Sequence, residues 1–124
     1  MLRLPNRLSK LSDIQRVLKN GRYSHAPDFG IKFLQNQKGS TRMTVVVSTK
    51  ISKKAVARNK IKRRIREIIK KEIMPHIKNG YDVIVMTKKS VLESDFSKMK
   101  KDTIKLFKKS KLINYDKKNI SSGD

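Results

Sequence analysis

A chain of 124 residues with 32 Lys and Arg against 10 Asp and Glu has room for one domain and carries a net charge of +22. Self-repulsion on that scale opposes a compact state and exceeds what solubility needs, so it points to a polyanionic partner. The absence of cysteine excludes disulfides, thiolate zinc sites and a cysteine nucleophile, and no apolar run is long enough to span a bilayer.

Residues 1–11 read as an extended basic lead-in containing Pro5, without the apolar stretch of a secretory signal. Ser12 is placed to cap a short helix, with Gln15 completing an S-x-x-Q capping box. Ile14, Val17 and Leu18 form its apolar stripe, and Gly21 is placed to end it. Residues 22–35 predict two strands broken near Pro27, in which Phe29, Ile31 and Phe33 alternate with Gly30 and Lys32. A turn over 35–41 leads into a valine-rich strand at 42–48.

The longest helix is predicted over 52–74, with Ala57, Ile61, Ile65, Ile68, Ile69 and Ile73 on one stripe and Pro75 closing it at Met74. After an Asn79-Gly80 turn, YDVIVMT at 81–87 is apolar enough for a strand buried on both faces. A last helix over 94–109 turns Phe96, Met99, Thr103, Leu106 and Phe107 inward. Residues 114–124 lack periodicity and are expected to form a disordered tail after a single domain at 1–113. The order α-β-β-β-α-β-α gives an α+β fold with three helices and one four-stranded sheet. The strand–helix–strand unit allows a parallel pair, for which general statistics favour a right-handed crossover.

Chemistry concentrates in KKAVARNKIKRRIREIIKK at 53–71, where ten residues are Lys or Arg and Glu67 is the one acid. At about 100° per residue the isoleucines keep one stripe, while Asn59, Lys62, Arg63, Arg66 and Lys70 share a second face. Lys60, Arg64 and Lys71 fall on the remaining flank. Like charges at these spacings destabilise an isolated helix, and a merely solvated face usually mixes signs. A nucleic-acid surface is the reading that uses both facts, since Arg offers phosphate a planar fork and Lys a point charge. Asn59 adds an amide for sugar or base edges. His25 and His76 lack metal-ligand spacing and read as surface residues, and no catalytic constellation is visible.

The stretch AVARNKIKRRIRE resembles the signature of the bacterial ribonuclease P protein family, an Arg-Asn-Arg motif on a long helix. The likeness extends over residues 5–109, through RLxKxxDxQxVxxxG at 7–21, VVVSTK at 45–50 and YDVIVM at 81–86. It implies an accessory subunit of an endoribonuclease that matures the tRNA 5′ end, cytoplasmic, with no obligate protein partner. Its partners are then ribonuclease P RNA, which catalyses with Mg²⁺ held mainly by the RNA, and precursor tRNA. The motif maps onto Arg58, Asn59, Lys60, Lys62, Arg63 and Arg66; Lys70, with Lys50 and Lys54 at the helix entrance, completes the expected RNA-binding set. The resemblance further implies a left-handed crossover, and a cleft between the first helix and the sheet that takes the single-stranded 5′ leader. Ile14, Leu18, Tyr23, Phe29 and Phe33 are the residues expected to line that cleft. Relatives often carry Phe where this chain has Ile14 and Leu18, and Lys60 stands where the motif has Arg. A ribosomal-type RNA-binding protein, a DNA-binding protein and a nuclease in its own right are the competing readings.

Overall fold

The computed structural model describes residues 7–113. Its main elements are α1 (Leu11–Asn20), β1 (Arg22–His25), β2 (Phe29–Gln35), β3 (Arg42–Val46), α2 (Ala55–Ile68), β4 (Tyr81–Thr87) and α3 (Phe96–Lys109). The four strands form one sheet in the order β1-β2-β4-β3. β2 pairs antiparallel with β1 and β4, while β3 and β4 run parallel and are joined through α2. The predicted α+β order therefore holds, and β4 is central. That position explains its apolar run: Asp82 to Val85 are all buried. The tail at 114–124 lies outside the described residues, as does Pro5.

Strand alternation divides the core between two faces. On one, Phe29, Ile31 and Phe33 of β2, Met43 and Val45 of β3, and Val83 and Val85 of β4 meet the isoleucines of α2 and Met99, Leu106 and Phe107 of α3. On the other, Leu8, Val17 and Ile84 form a small cluster, with Ile14, Leu34 and Met86 packed around it. No helix among the described residues is long and apolar enough to cross a membrane.

Several element ends depart from the sequence expectation: β3 stops at Val46 instead of 48, α2 starts at Ala55 instead of 52, and α3 starts at Phe96 instead of 94. α1 starts at Leu11 with Lys10 as its capping residue and no side-chain cap, so the Ser12–Gln15 capping box does not form. The Leu8 N–H is bonded to the Met43 carbonyl at 2.8 Å, which fixes where the chain leaves the β3 edge, and the helix begins as soon as it does. Gly21 ends α1 where expected, but with φ of −73°, extended rather than left-handed. It is glycine because a β-carbon there would lie 2.5 Å from the Val17 carbonyl oxygen.

Nor does Pro75 close α2 at Met74. Regular α-helix stops at Ile68, a π-helical turn spans Ile69–Ile73, and a 3₁₀ turn over Met74–His76 includes the proline. Pro75 has no N–H for the carbonyl four residues back, so the last turns adopt other hydrogen-bond spacings. Phe96, expected inward, is 42% exposed at the first position of α3, where the Asp95 side chain accepts the Lys98 N–H.

Candidate nucleic-acid interface

The entrance to α2 is shaped by short local bonds. The Ser48 and Ser52 hydroxyl oxygens accept the backbone N–H groups of Lys50 and Lys54. The Arg58 guanidinium donates to the Ser52 carbonyl at 2.8 Å and fastens this loop to the helix. Arg58 thus spends one of its five donors on the fold, while Lys50 and Lys54 are exposed beside it.

Along α2 and its π turn, Ile61, Ile65, Ile68, Ile69 and Ile73 are buried, as the stripe requires. Asn59, Arg63 and Lys70 are exposed, and Lys62 and Arg66 are half-buried along their stems. Among the described residues the side chains of Asn59, Lys62, Arg63 and Arg66 make no hydrogen bond or ion pair. The helix's one acid is consumed on the flank: Glu67 pairs with Lys71 at 2.9 Å, and that ammonium holds its carboxyl below the ordinary value. At Lys62, Arg63 and Arg66 the outward face is therefore a row of cations without ion pairs, while Lys70 lies within the field of Glu67. Lys60 stands apart from this row. It borders a shallow groove with Ala57, Ile61, Arg64, Leu92 and Met99.

The expected cleft set divides. Phe29 and Phe33 are 1% and 7% exposed and pack on the α2–α3 side. They cannot line a cleft on the α1 side, because paired and alternate residues fix the face they occupy. Ile14, Leu18 and Tyr23 remain there. Ile14 closes the small cluster under α1, while Leu18 and Tyr23 are 42% and 53% exposed. The Tyr23 ring lies diagonally over Gly30, so a β-carbon at Gly30 would sit 2.8 Å from the Tyr23 hydroxyl. His25 stacks on Tyr23 with ring centres 5.8 Å apart and planes 20° apart. The Lys32 ammonium, in register with Tyr23, donates to the Leu18 carbonyl at 2.6 Å and ties the end of α1 to β2. The result is a groove with α1 as one wall and, on the edge strand, the Tyr23–His25 ring pair lying over the buried Gly30.

A buried ion network sets the height of α1 over this groove. Asp82 is 0% exposed. It accepts Arg16 at 2.9 Å, Arg42 at 2.9 and 2.7 Å, and the Asn36 amide at 2.7 Å. Arg42 also reaches Asp13 at 3.2 Å, so β3 and β4 hold both acid and base of α1. Hydrogen bonding to Asp82 raises the Arg42 pKa above its ordinary value, against the cost of burial. A second buried carboxylate, Asp28, accepts Ser90 at 2.7 Å, Ser94, and Lys98 at 2.8 Å, joining the β1–β2 corner to α3.

Sequence reasoning missed both networks, together with His25 and Gly30. Asp82 carried a signal, a lone acid inside an apolar strand, where burial demands partners. Tyr23 and His25 carried another, since rings two apart on a strand share a face. Among the described residues no three His, Asp or Glu side chains come together as a metal-binding group.

Fold and surface define the class: a small, strongly basic α+β protein that carries a helix face of uncompensated cations. The family model described as Ribonuclease P matches residues 2–111, and the chain belongs to the ribonuclease P protein family. It is 30% identical over 112 residues to the ribonuclease P protein component of Microcystis aeruginosa, covering 87% of this chain and 92% of that one. The RNase P protein of Staphylococcus aureus superposes with a TM-score of 0.80 at 30% identity, over 88% of this chain and 98% of that one. That of Thermotoga maritima does so with 0.74 at 29%, over 83% and 96%. The chain's role is thus in ribonuclease P, as a subunit of an endoribonuclease complex, and membership implies association with ribonuclease P RNA.

Proposed function

We propose that the chain binds the catalytic RNA through the outer face of α2 and the 5′ leader of precursor tRNA through the groove beneath α1, while the RNA itself cleaves. The observation that carries this reading is the one-signed face of Asn59, Lys62, Arg63, Arg66 and Lys70, free of protein partners at the first four, over an intact apolar stripe. Placing these cations side by side is unfavourable alone and becomes favourable against phosphates, where each contact releases condensed counterions. Arg58, Lys50 and Lys54 extend the face around the helix entrance, and Lys60 reaches RNA from the adjacent flank.

In the groove, Leu18 and the Tyr23–His25 pair offer an apolar and aromatic surface to unpaired bases, and stacking there is tolerant of sequence. The protein's contribution is positioning and charge compensation between two polyanions. Mg²⁺ belongs in this reading to the RNA, where it activates water and stabilises charge during phosphodiester hydrolysis.

The decisive experiment is cleavage of a 5′-extended precursor tRNA at low Mg²⁺ by a bacterial ribonuclease P RNA, with and without the protein. Stimulated cutting at the mature 5′ end, with none from protein alone, is the expected result. Cutting by protein alone would reverse the assignment of catalysis. No stimulation of an RNA that responds to another family member would return the chain to general RNA binding.

A further inference from the structure

The corner where β1 turns into β2 meets the outer side of α3 in a pocket of about 490 Å³, away from the cationic face of α2. Its apolar surface comes from Ala26, Pro27 and Leu106, and its rim from Lys88, Lys105 and Lys109. Two of these lysines are already aimed: Lys88 donates to the Ala26 carbonyl at 2.9 Å and Lys109 to the His25 carbonyl at 3.2 Å. Each ammonium has three N–H donors, so each retains capacity after that bond. Lys105 is exposed and its side chain makes no hydrogen bond or ion pair among the described residues. Asp102 also borders the pocket, paired at 3.1 Å with the Lys98 ammonium that it shares with Asp28, and the three lysines of the rim outnumber it.

His25 belongs to both sides of the edge strand. It stacks on Tyr23 at the α1 groove, and it lines this pocket. The two surfaces are therefore continuous around β1, a strand whose outer edge pairs with no other strand among the described residues. An apolar surface for a base face, a rim of point charges for phosphates and direct continuity with the groove describe one ligand, a single-stranded nucleic acid passing over the edge.

We propose that the pocket between the β1–β2 corner and α3 binds single-stranded RNA of the 5′ leader, distal to the segment that lies in the α1 groove. The proposal rests on the leader reading of that groove. Short leaders end in the groove; longer ones turn past His25 and place phosphates against Lys88, Lys105 and Lys109. A rim made of lysine, without arginine's planar fork, fits phosphates without dictating sequence.

The test uses ribonuclease P reconstituted with this protein and two precursor tRNAs, with leaders of about 4 and about 16 nucleotides, the range of single-strand site sizes. In the double variant Lys105→Gln and Lys109→Gln, the longer leader should bind roughly tenfold more weakly, as expected for two lost exposed ion pairs. Its plot of log affinity against log salt should flatten by about 1.4, the value for two single-strand phosphate contacts. The shorter leader should lose far less. Tyr23→Ala, measured in parallel, should weaken both. Equal loss on both leaders, or none on either, in the lysine variant while Tyr23→Ala still weakens both would overturn the pocket and leave the groove standing. No effect of Tyr23→Ala on either leader would overturn the groove reading and the pocket with it.

Discussion

Arg42 grips Asp82 as a fork, with Nε on one carboxylate oxygen at 2.9 Å and Nη2 on the other at 2.7 Å. Because Arg16 and Asn36 also donate to the same carboxylate, removing it takes the acceptor from four donor groups on three side chains. Asp82→Ala should therefore destabilise the protein by about 3 kcal/mol, the scale for breaking a buried pair on one side. Denaturant unfolding of both proteins checks this. A loss under 1 kcal/mol would show that the arginines find water instead.

Gly30 reports on the groove rather than on the core. A β-carbon there meets the end of the Tyr23 ring, a flexible contact, so Gly30→Ala should move the ring at little cost in stability. The expected outcome is a Tm within a few degrees of the parent and weaker leader binding, matching Tyr23→Ala. An unchanged leader affinity would mean that the ring's placement over the sheet does not matter.

On α2 the arginines separate by task. Arg63→Ala with Arg66→Ala should leave Tm nearly unchanged, because neither side chain makes a hydrogen bond or ion pair among the described residues. RNA affinity should fall at least tenfold, and its salt dependence should shrink by about 1–2 contacts' worth. Arg58→Ala should instead cost about 1 kcal/mol of stability through the lost bond to Ser52, in addition to any effect on RNA. Equal Tm losses in the two proteins would contradict this division.

Acid sensitivity should trace to Asp28. Burial disfavours its ionised form, but Lys98 and the hydroxyls of Ser94 and Ser90 together outweigh that and hold its pKa below the ordinary 3.8. A depressed carboxylate stabilises the fold above its unfolded value, and that stabilisation is lost as pH falls through 3.8 toward the folded pKa. Tm measured against pH should drop less steeply below this point in Asp28→Asn than in the parent. At the alkaline end Lys98 is raised above 10.5 by Asp28 and then Asp102, so its contribution is present below 10.5 and fades above.

Much of this was readable along the chain, since helix and strand periodicities are local. The isoleucine stripe from Ile61 to Ile73 set what α2 buries, and by exclusion which cations it presents. The apolar run at 81–87 announced a strand covered on both sides. Composition alone required a polyanionic partner. Face assignment and partnership were not local and fell to the tertiary structure. Phe29, Phe33 and Tyr23 are equivalent as aromatic strand residues until pairing with β4 sends the first two into the α2–α3 core and leaves Tyr23 over Gly30. Asp82 is an isolated acid in the sequence, and only the fold brings Arg16 from 66 residues away and Arg42 from 40 to neutralise it. A periodic pattern is written by each segment for itself, whereas register and charge pairing depend on which segments meet.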